Sequence, residues 1–479
     1  MKTEHKTFYR EVIKELETGS LSIFAGAGLS VDAGHVNWKK LMKDITEDLG
    51  LDYNKETDLI AIAQYNTNKI GNRSMINRKI IDEFNRDIAH TENHTILARL
   101  PIYTYWTTNY DNLIEKSLEA VKRIPDVKHA VKQLPYPKPR RDAIVYKMHG
   151  DATMPADAVI TKDDYERYAV DKGPFLTALN SDLLSKLFIF IGFSFTDPNL
   201  DYVLSRVRIY MMGQQRHHYH FVKRLSKDEY IENGNEADYD FDARKQQLFV
   251  DDLKRFGLQP VYVDTYEEIT FILREIEEIF KRKTIFLSGS AVNYELWDAD
   301  NGHSFIHKLS AALIGAELRV VNGFGVGVGS AVINGALSQI YDHPERYSRD
   351  QLIVRPFPQF PTGGKTLPEL WHDYRTDMIS FAGVAVIIFG NKVSPDDPKE
   401  LIEAGGVYKE FEIAKSQNLF VIPVSPTGWM AEKIFNELEA INFNLKAGDE
   451  KLALLAKLKS EKDPDKIIEI IIQIIAKLN

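Results

Sequence analysis

Short runs of β-branched and aromatic residues alternate with longer segments in which apolar residues recur every three to four positions. The short runs read as buried strands, and the ~3.6-residue period between them reads as helices laid on sheet faces. In the first half, runs at 21–25, 102–106, 144–148, 187–192 and 218–222 predict strands. In the second half, runs at 284–287, 317–321, 352–355, 384–389 and 419–424 do the same. Strands separated by helical patterns cannot be joined as hairpins. The rhythm therefore predicts an α/β architecture with a parallel sheet in each half.

Ile269, Ile272, Ile276 and Ile279 repeat at helical spacing and predict one amphipathic helix over 266–280. Lys281, Arg282 and Lys283 close it, and the next strand begins at once. A chain of 479 residues is too long for one core. Two domains, 1–283 and 284–479, are expected. The Pro-, Lys- and Arg-rich stretch 124–141 and the polar, acidic stretch 226–240 read as surface loops. The chain's end is a Lys-rich helical pattern, broken near Pro464 and resumed in an Ile-rich run.

Composition narrows the function. A net charge of −9 with both signs interspersed argues against nucleic-acid and membrane-surface partners. The absence of cysteine excludes disulfides, thiolate nucleophiles and Cys-ligated zinc, and no metal site is expected. The charged first 16 residues lack the apolar core of a signal peptide. The late apolar run 467–476, interrupted by Glu469 and Gln473, is far short of the ~20 residues that span a bilayer. A cytoplasmic location is expected.

Four polar clusters follow predicted strands of the first half. Ala25-Gly26-Ala27-Gly28 leads to Ser30 and Asp32. Small residues at a strand end allow backbone N–H groups to approach a phosphate, although a plain tight turn needs the same residues. The dinucleotide fingerprint of dehydrogenases would require a third glycine where Val31 stands. Thr108, Asn109 and Asp111 follow the second strand, His149 and Gly150 the third, and Gly192, Ser194 and Asp197 the fourth. Alone, each has a structural reading: a helix cap, a core histidine, a turn. Together they sit at the carboxyl ends of parallel strands, where open α/β sheets bind ligands.

In order, FAGAGLS, TTNYD, YKMHGD and GFSFTDPN, with ITKDDYERY at 160–168, resemble the SIR2 (sirtuin-like) superfamily in its stand-alone bacterial branch. The resemblance covers roughly residues 10–280 and implies a Rossmann-like domain that uses NAD+. It puts Ala25, Gly26, Ala27, Gly28, Ser30 and Asp32 at the pyrophosphate and adjoining ribose. It puts Thr108, Asn109 and Asp111 by the nicotinamide ribose, makes His149 the catalytic histidine beside Asn109, and lays Gly192, Ser194 and Asp197 along the adenosine side. Deacetylase sirtuins carry a four-cysteine zinc module, which a cysteine-free chain lacks. Attack of water on NAD+ becomes the favoured expectation. Nicotinamide leaves as a neutral molecule from a cationic precursor, so the site needs a positioned water and groups that tolerate positive charge at the ribose carbon. Asn109 would orient water without titrating, and His149 would accept a proton.

In the second half, a strand ends in Gly289 and Ser290, and a later one runs into the glycines 323, 325, 327 and 329 before a helix over 330–341. Glycine-rich backbone at a helix start is an anion site, or a turn that permits tight strand–helix packing. Arg375, Lys392 and Glu410 stand near other strand or helix ends. This half resembles the SLOG family, relatives of the Rossmann-like LOG nucleotide-binding proteins. The PGGxGTxxE pattern of LOG hydrolases is not reproduced, because Ala404 precedes Gly405-Gly406 and no Gly-Thr follows. SIR2 followed by SLOG resembles the NADase effectors of Thoeris antiphage systems. That resemblance implies a TIR-domain partner that makes a cyclic ADP-ribose isomer. It also implies a pocket for that activator at Gly289, Ser290, Gly323, Gly325, Gly327, Arg375, Lys392 and Glu410, and a homo-oligomer, either tetramer or filament. NAD+ would be substrate, with no further cofactor required. An NAD-dependent deacylase or ADP-ribosyltransferase, and a non-catalytic nucleotide-binding scaffold, remain open alternatives.

Overall fold

The run 21–25 is buried at every position and forms β1 (Leu21–Ala25), as a strand covered on both faces requires. It is followed by β2 (Thr104–Thr107), β3 (Pro125–Lys128), β4 (Ala143–Lys147), β5 (Leu187–Ile191), β6 (His218–Lys223) and β7 (Leu258–Val263). The computed structural model describes residues 5–35, 38–195 and 197–478, and the chain divides into the units Met1–Glu277 and Glu278–Asn479.

All seven strands of the first unit are parallel, in the order β3-β4-β2-β1-β5-β6-β7. The chain leaves β1 toward β2 on one side and returns to β5 on the other. The carboxyl ends of β1 and β5 therefore form the switch-point crevice of a doubly wound sheet. The second unit repeats the principle with β8 (Thr284–Ser290), β9 (Arg319–Asn322), β10 (Leu352–Val354), β11 (Val384–Phe389) and β14 (Phe420–Pro423). Their order is β10-β9-β8-β11-β14, all parallel, with the switch between β8 and β11. Alternate residues of its central strands feed two cores. Ile285, Leu287, Val384, Val386 and Ile388 face one side, and Phe286, Ala385 and Ile387 the other. An antiparallel ribbon, β12 (Asn391–Val393) with β13 (Leu401–Glu403), stands apart from that sheet.

The predicted helix over 266–280 is observed as Glu267–Arg282. The division falls inside it rather than at 283. Its last turn is held within the second unit, where Arg319 stacks on Phe280 at 4.1 Å and Arg282 donates to the Leu478 carbonyl at 3.1 Å. Two stretches expected to be loops contain regular elements. Residues 124–141 contain β3, an edge strand whose Pro125 and Lys128 hid it from an apolar pattern. Residues 226–240 contain the Lys227–Glu232 helix and the start of the Glu236–Lys254 helix. The longer helix buries only Val250 and Leu253, so its sequence carries almost no period to read. The second edge strand, β7, lies outside the sequence expectation; Pro260 interrupts its apolar pattern, not the strand.

Three histidines are sealed in the first unit: His94, His218 and His220, each 3% exposed or less. His218 Nδ1 accepts from the Phe188 N–H at 3.2 Å. Burial depresses His94 and His220 to about 4, and burial, reinforced by the charges of Arg216 and His217, takes His218 to about 3. In the unfolded chain each would titrate near ~6.5. Above that value neither state binds the proton. As pH falls from there toward 4, only the unfolded state does, so stability is lost with falling pH. Each histidine contributes a slope of up to ~1.4 kcal/mol per pH unit in that window. The urea midpoint of the first unit is expected to fall steeply between pH ~6.5 and ~4. His218→Asn, which keeps an acceptor for Phe188, should flatten the slope by about one proton; an unchanged slope would refute the assignment.

Candidate active site

The turns after β1 and β5 cross at van der Waals limit. Gly26 N–H donates to the Ile191 carbonyl and Gly28 N–H to the Gly192 carbonyl, both at 2.9 Å. A Cβ on Gly26 would lie 2.4 Å from Gly192 O, and one on Gly28 would lie 2.7 Å from Gly192 Cα. A Cβ on Gly192, whose φ is +65°, would lie 2.2 Å from Leu29 N. These glycines are needed for backbone-to-backbone contact, and the two amides at 26 and 28 are committed to it rather than open to a phosphate.

That crossing fixes Asn109. Thr107 Oγ donates to the Ala25 carbonyl at 2.9 Å and accepts from Asn109 N–H at 2.9 Å. The Asn109 amide nitrogen then donates to the Gly26 carbonyl at 3.0 Å and to Ser30 Oγ at 3.1 Å. The carbonyl partner settles which end of the amide is nitrogen. With both amide hydrogens used, Oδ1 is the atom left for an occupant of the cavity. Asp111 accepts from Leu113 N–H at 3.1 Å through Oδ1, in the turn that enters the Leu113–Ala120 helix. Its Oδ2 is buried with no hydrogen-bond partner.

Beneath this loop lies a fully buried cation. Lys147, the last residue of β4, donates to the carbonyls of Tyr110 at 3.1 Å and Asp111 at 2.5 Å, and to Asp151. Glu115 stands 3.3 Å away. Burial works against the Lys147 charge, but Glu115 and Asp151 outweigh it and raise its pKa. Burial likewise works against the Asp151 charge, and Lys147 outweighs it. Two residues on, His149 Nε2 lies 3.1 Å from Asp197 Oδ2. Asp197 Oδ1 accepts from the N–H groups of Asn199 and Leu200, both at 3.0 Å, at the start of the Pro198–Tyr210 helix. Tyr165 Oη donates to Oδ2 at 3.2 Å. Burial alone would raise the Asp197 carboxyl. The charge of His149, its proximity, the Leu200 N–H and Tyr165 outweigh burial and hold the carboxyl below its usual range.

A cavity of about 460 Å³ opens over these groups. Of the residues expected from sequence, Ala27, Gly28, Ser30, Thr108, Asn109, Asp111, His149, Gly192, Ser194 and Asp197 line it. Ala25 is buried in β1 and Gly26 in the crossing, while Asp32 is exposed beyond the Ala27–Val31 helix; none of the three lines the cavity. Thr196, quoted within the fourth motif, lies outside the described residues. Sequence reasoning missed Trp38, Lys39, Leu59, Phe84, Tyr110, Tyr165 and Phe193 on the walls. Tyr110, Tyr165 and Phe193 stood inside the quoted motifs, so a signal existed for them. Leu59 and Phe84 come from helices with ordinary core patterns and gave none. No cluster of metal-ligating side chains occurs among the described residues, and no helix there is long and apolar enough to cross a membrane.

In the second unit, the glycine turn after β9 rests on the end of β8. A Cβ on Gly325 would lie 2.1 Å from the Gly289 carbonyl, and one on Gly327 would lie 1.8 Å from that of Ala291. Ser290 Oγ donates to the Asn391 carbonyl at 2.9 Å, across the switch point. Gly323 packs on Phe357, over which the Arg375 guanidinium stacks at 4.8 Å. Arg375 pairs with Glu410 at 3.4 Å, and Glu410 accepts from Ser288 at 2.6 Å. Seven of the eight expected residues are thus joined at the carboxyl end of this sheet. Lys392 is exposed on β12.

A family described as a SIR2-like domain matches residues 103–243, and the Sir2- and TIR-associating SLOG family matches residues 268–478. The NAD(+) hydrolase ThsA of Bacillus cereus (strain MSX-D12) is 50% identical over 432 residues, 90% of this chain and 89% of its own length. The chain belongs to the NAD(+) hydrolase ThsA family. Family members from Cytobacillus dafuensis (46% identical, 91% of this chain and 89% of its own) and Enterococcus faecium (38%, 98% of each) carry the same name. The two resemblances drawn from motifs are borne out: the parallel α/β units are SIR2-like, then SLOG.

Gly192→Ala is expected to lose ~1–3 kcal/mol to backbone strain alone, plus the cost of forcing the crossing open. Thermal melting should report a clear drop in the first unit. A variant that melts like the wild type would show that the turns do not depend on this contact.

Proposed function

We propose that this chain hydrolyses NAD+ to nicotinamide and ADP-ribose in the first unit. The observation that carries the reading is the set of atoms around one cavity: Asn109 with its amide donors spent, Asp111 with an unpartnered buried oxygen, and His149. A carboxylate oxygen without a donor suits a ribose hydroxyl or the positive charge that grows at C1′ as nicotinamide leaves. Asn109 Oδ1 accepts a hydrogen from the attacking water and orients it, and His149 takes the proton that water gives up. Trp38, Leu59, Phe84 and Phe193 supply apolar walls that keep other water out. About 460 Å³ lies within the ~300–1,000 Å³ usual for small-molecule sites. Asn109→Ala and His149→Ala should each lower turnover by ~10²–10⁴, measured as nicotinamide released from NAD+. Near-wild-type turnover in either would remove that residue from the chemistry. Appearance of ADP-ribosylated protein in place of free ADP-ribose would favour a transferase.

The second unit we read as the sensor. A cyclic ADP-ribose isomer made by a TIR-domain protein binds at its switch point, and a homo-oligomer of this cytoplasmic enzyme then destroys NAD+ during phage infection. The SLOG description, which names SIR2 and TIR association, and the joined Gly289–Glu410 constellation support this. Arg375→Ala is a poor probe, because it strands buried Glu410, whose pKa burial already raises against the pull of Ser288 and Arg375. Lys392→Ala is cleaner. It should raise the half-activating concentration of the cyclic nucleotide by ~10-fold, the worth of one charge-assisted contact. No activation by any cyclic ADP-ribose isomer would refute the sensor reading.

A further inference from the structure

The motif resemblance assigned Asp197 to the adenosine end of the substrate, yet its carboxylate is fully engaged by protein. Oδ1 takes two backbone N–H groups at the start of the Pro198–Tyr210 helix. Oδ2 takes the Tyr165 hydroxyl at 3.2 Å and faces His149 Nε2 at 3.1 Å. His149 Nε2 is buried and makes no hydrogen bond in its present orientation, and Asp197 Oδ2, 3.1 Å away, is the acceptor it faces. The imidazole is bounded on other sides by the rings of Tyr165, at 5.6 Å, and Tyr168, at 6.3 Å, both edge-on. Tyr168 is fixed in turn by its hydroxyl on the Met148 carbonyl.

We propose that Asp197 is a positioning residue for His149: the helix start locks the carboxylate plane, and the carboxylate locks the imidazole's orientation and tautomer. The inference rests on the base role given to His149 above. In a neutral imidazole one nitrogen carries hydrogen and the other accepts. A small turn of the ring gives Nε2–H to Asp197, and Nδ1 is then the nitrogen free to take a proton from water. A carboxylate with a fixed plane also stabilises the imidazolium formed in that step. Tyr165 occupies the remaining face of Oδ2, so rotating the carboxylate would break three hydrogen bonds at once.

Asp197→Asn separates this from a substrate-binding role. The amide oxygen still caps the helix, while the NH₂ group in place of Oδ2 donates to Nε2 and drives the imidazole proton onto Nδ1. The expected result is a fall in kcat of ~10²-fold or more, the scale of a lost general base, with KM for NAD+ within about twofold and melting unchanged. An unchanged kcat, or a raised KM at constant kcat, would overturn the proposal; the latter would return Asp197 to the adenosine side. Should the variant melt early, the wild type decides by ¹⁵N spectra of histidine-labelled protein, with His149 identified by its loss in His149→Gln. At a pH where imidazoles are neutral, hydrogen on Nε2 supports the proposal and hydrogen on Nδ1 refutes it. His149→Ala runs beside these measurements. Full turnover there would sink the base role itself, a result distinct from either Asp197 outcome.

Discussion

Where the turns after β1 and β5 cross, no side chain fits between the two backbones. Gly26 and Gly28 lie against Gly192 so closely that a methyl group on any of them would overlap main-chain atoms. Everything that lines the cavity is measured from that contact. The Gly26 carbonyl left over from the crossing receives the Asn109 amide, and the chain emerging from Gly192 reaches Asp197 within five residues and presents it to His149. A parallel sheet puts the ends of its central strands side by side. The glycines bring those ends close enough for their side chains to meet.

The third strand in the arrangement is held electrostatically. Lys147 has no access to solvent, and its ammonium draws together two carbonyls from the 109–111 loop and carboxylates from the helix after it and from the turn beyond β4. A buried cation is tolerated only when its hydrogens are all accepted and its charge is balanced. Here three hydrogens meet four acceptors. Asn109 and His149 belong to loops that this one nitrogen ties together, although it touches neither side chain.

Much of this was legible in sequence because parallel strands buried on both faces write themselves as apolar runs. β1 and β11 were bounded correctly at both ends, and the polar residues after such runs fell where the crevice is. Edge strands gave no such signal. Pro125 and Pro260 break the pattern of β3 and β7, and the Glu236–Lys254 helix buries too little to show a period. The glycines were visible, but their reason was not: a close approach to a phosphate and a close approach to another turn ask for the same residue. Asp197 was visible too, but the Tyr165 hydroxyl and the His149 imidazole that its second oxygen faces come from distant parts of the chain. Trp38, Leu59 and Phe84 resemble ordinary core residues until the cavity they face is known.

The prolines at the two margins of the seven-stranded sheet have a consequence for assembly. β3 and β7 are the strands with an open side, and each contains a residue that has no hydrogen to donate. A neighbouring molecule cannot extend this sheet by continuing its ladder across either rim without leaving a gap in the pairing. The rims of this sheet are thereby poor templates for a further strand.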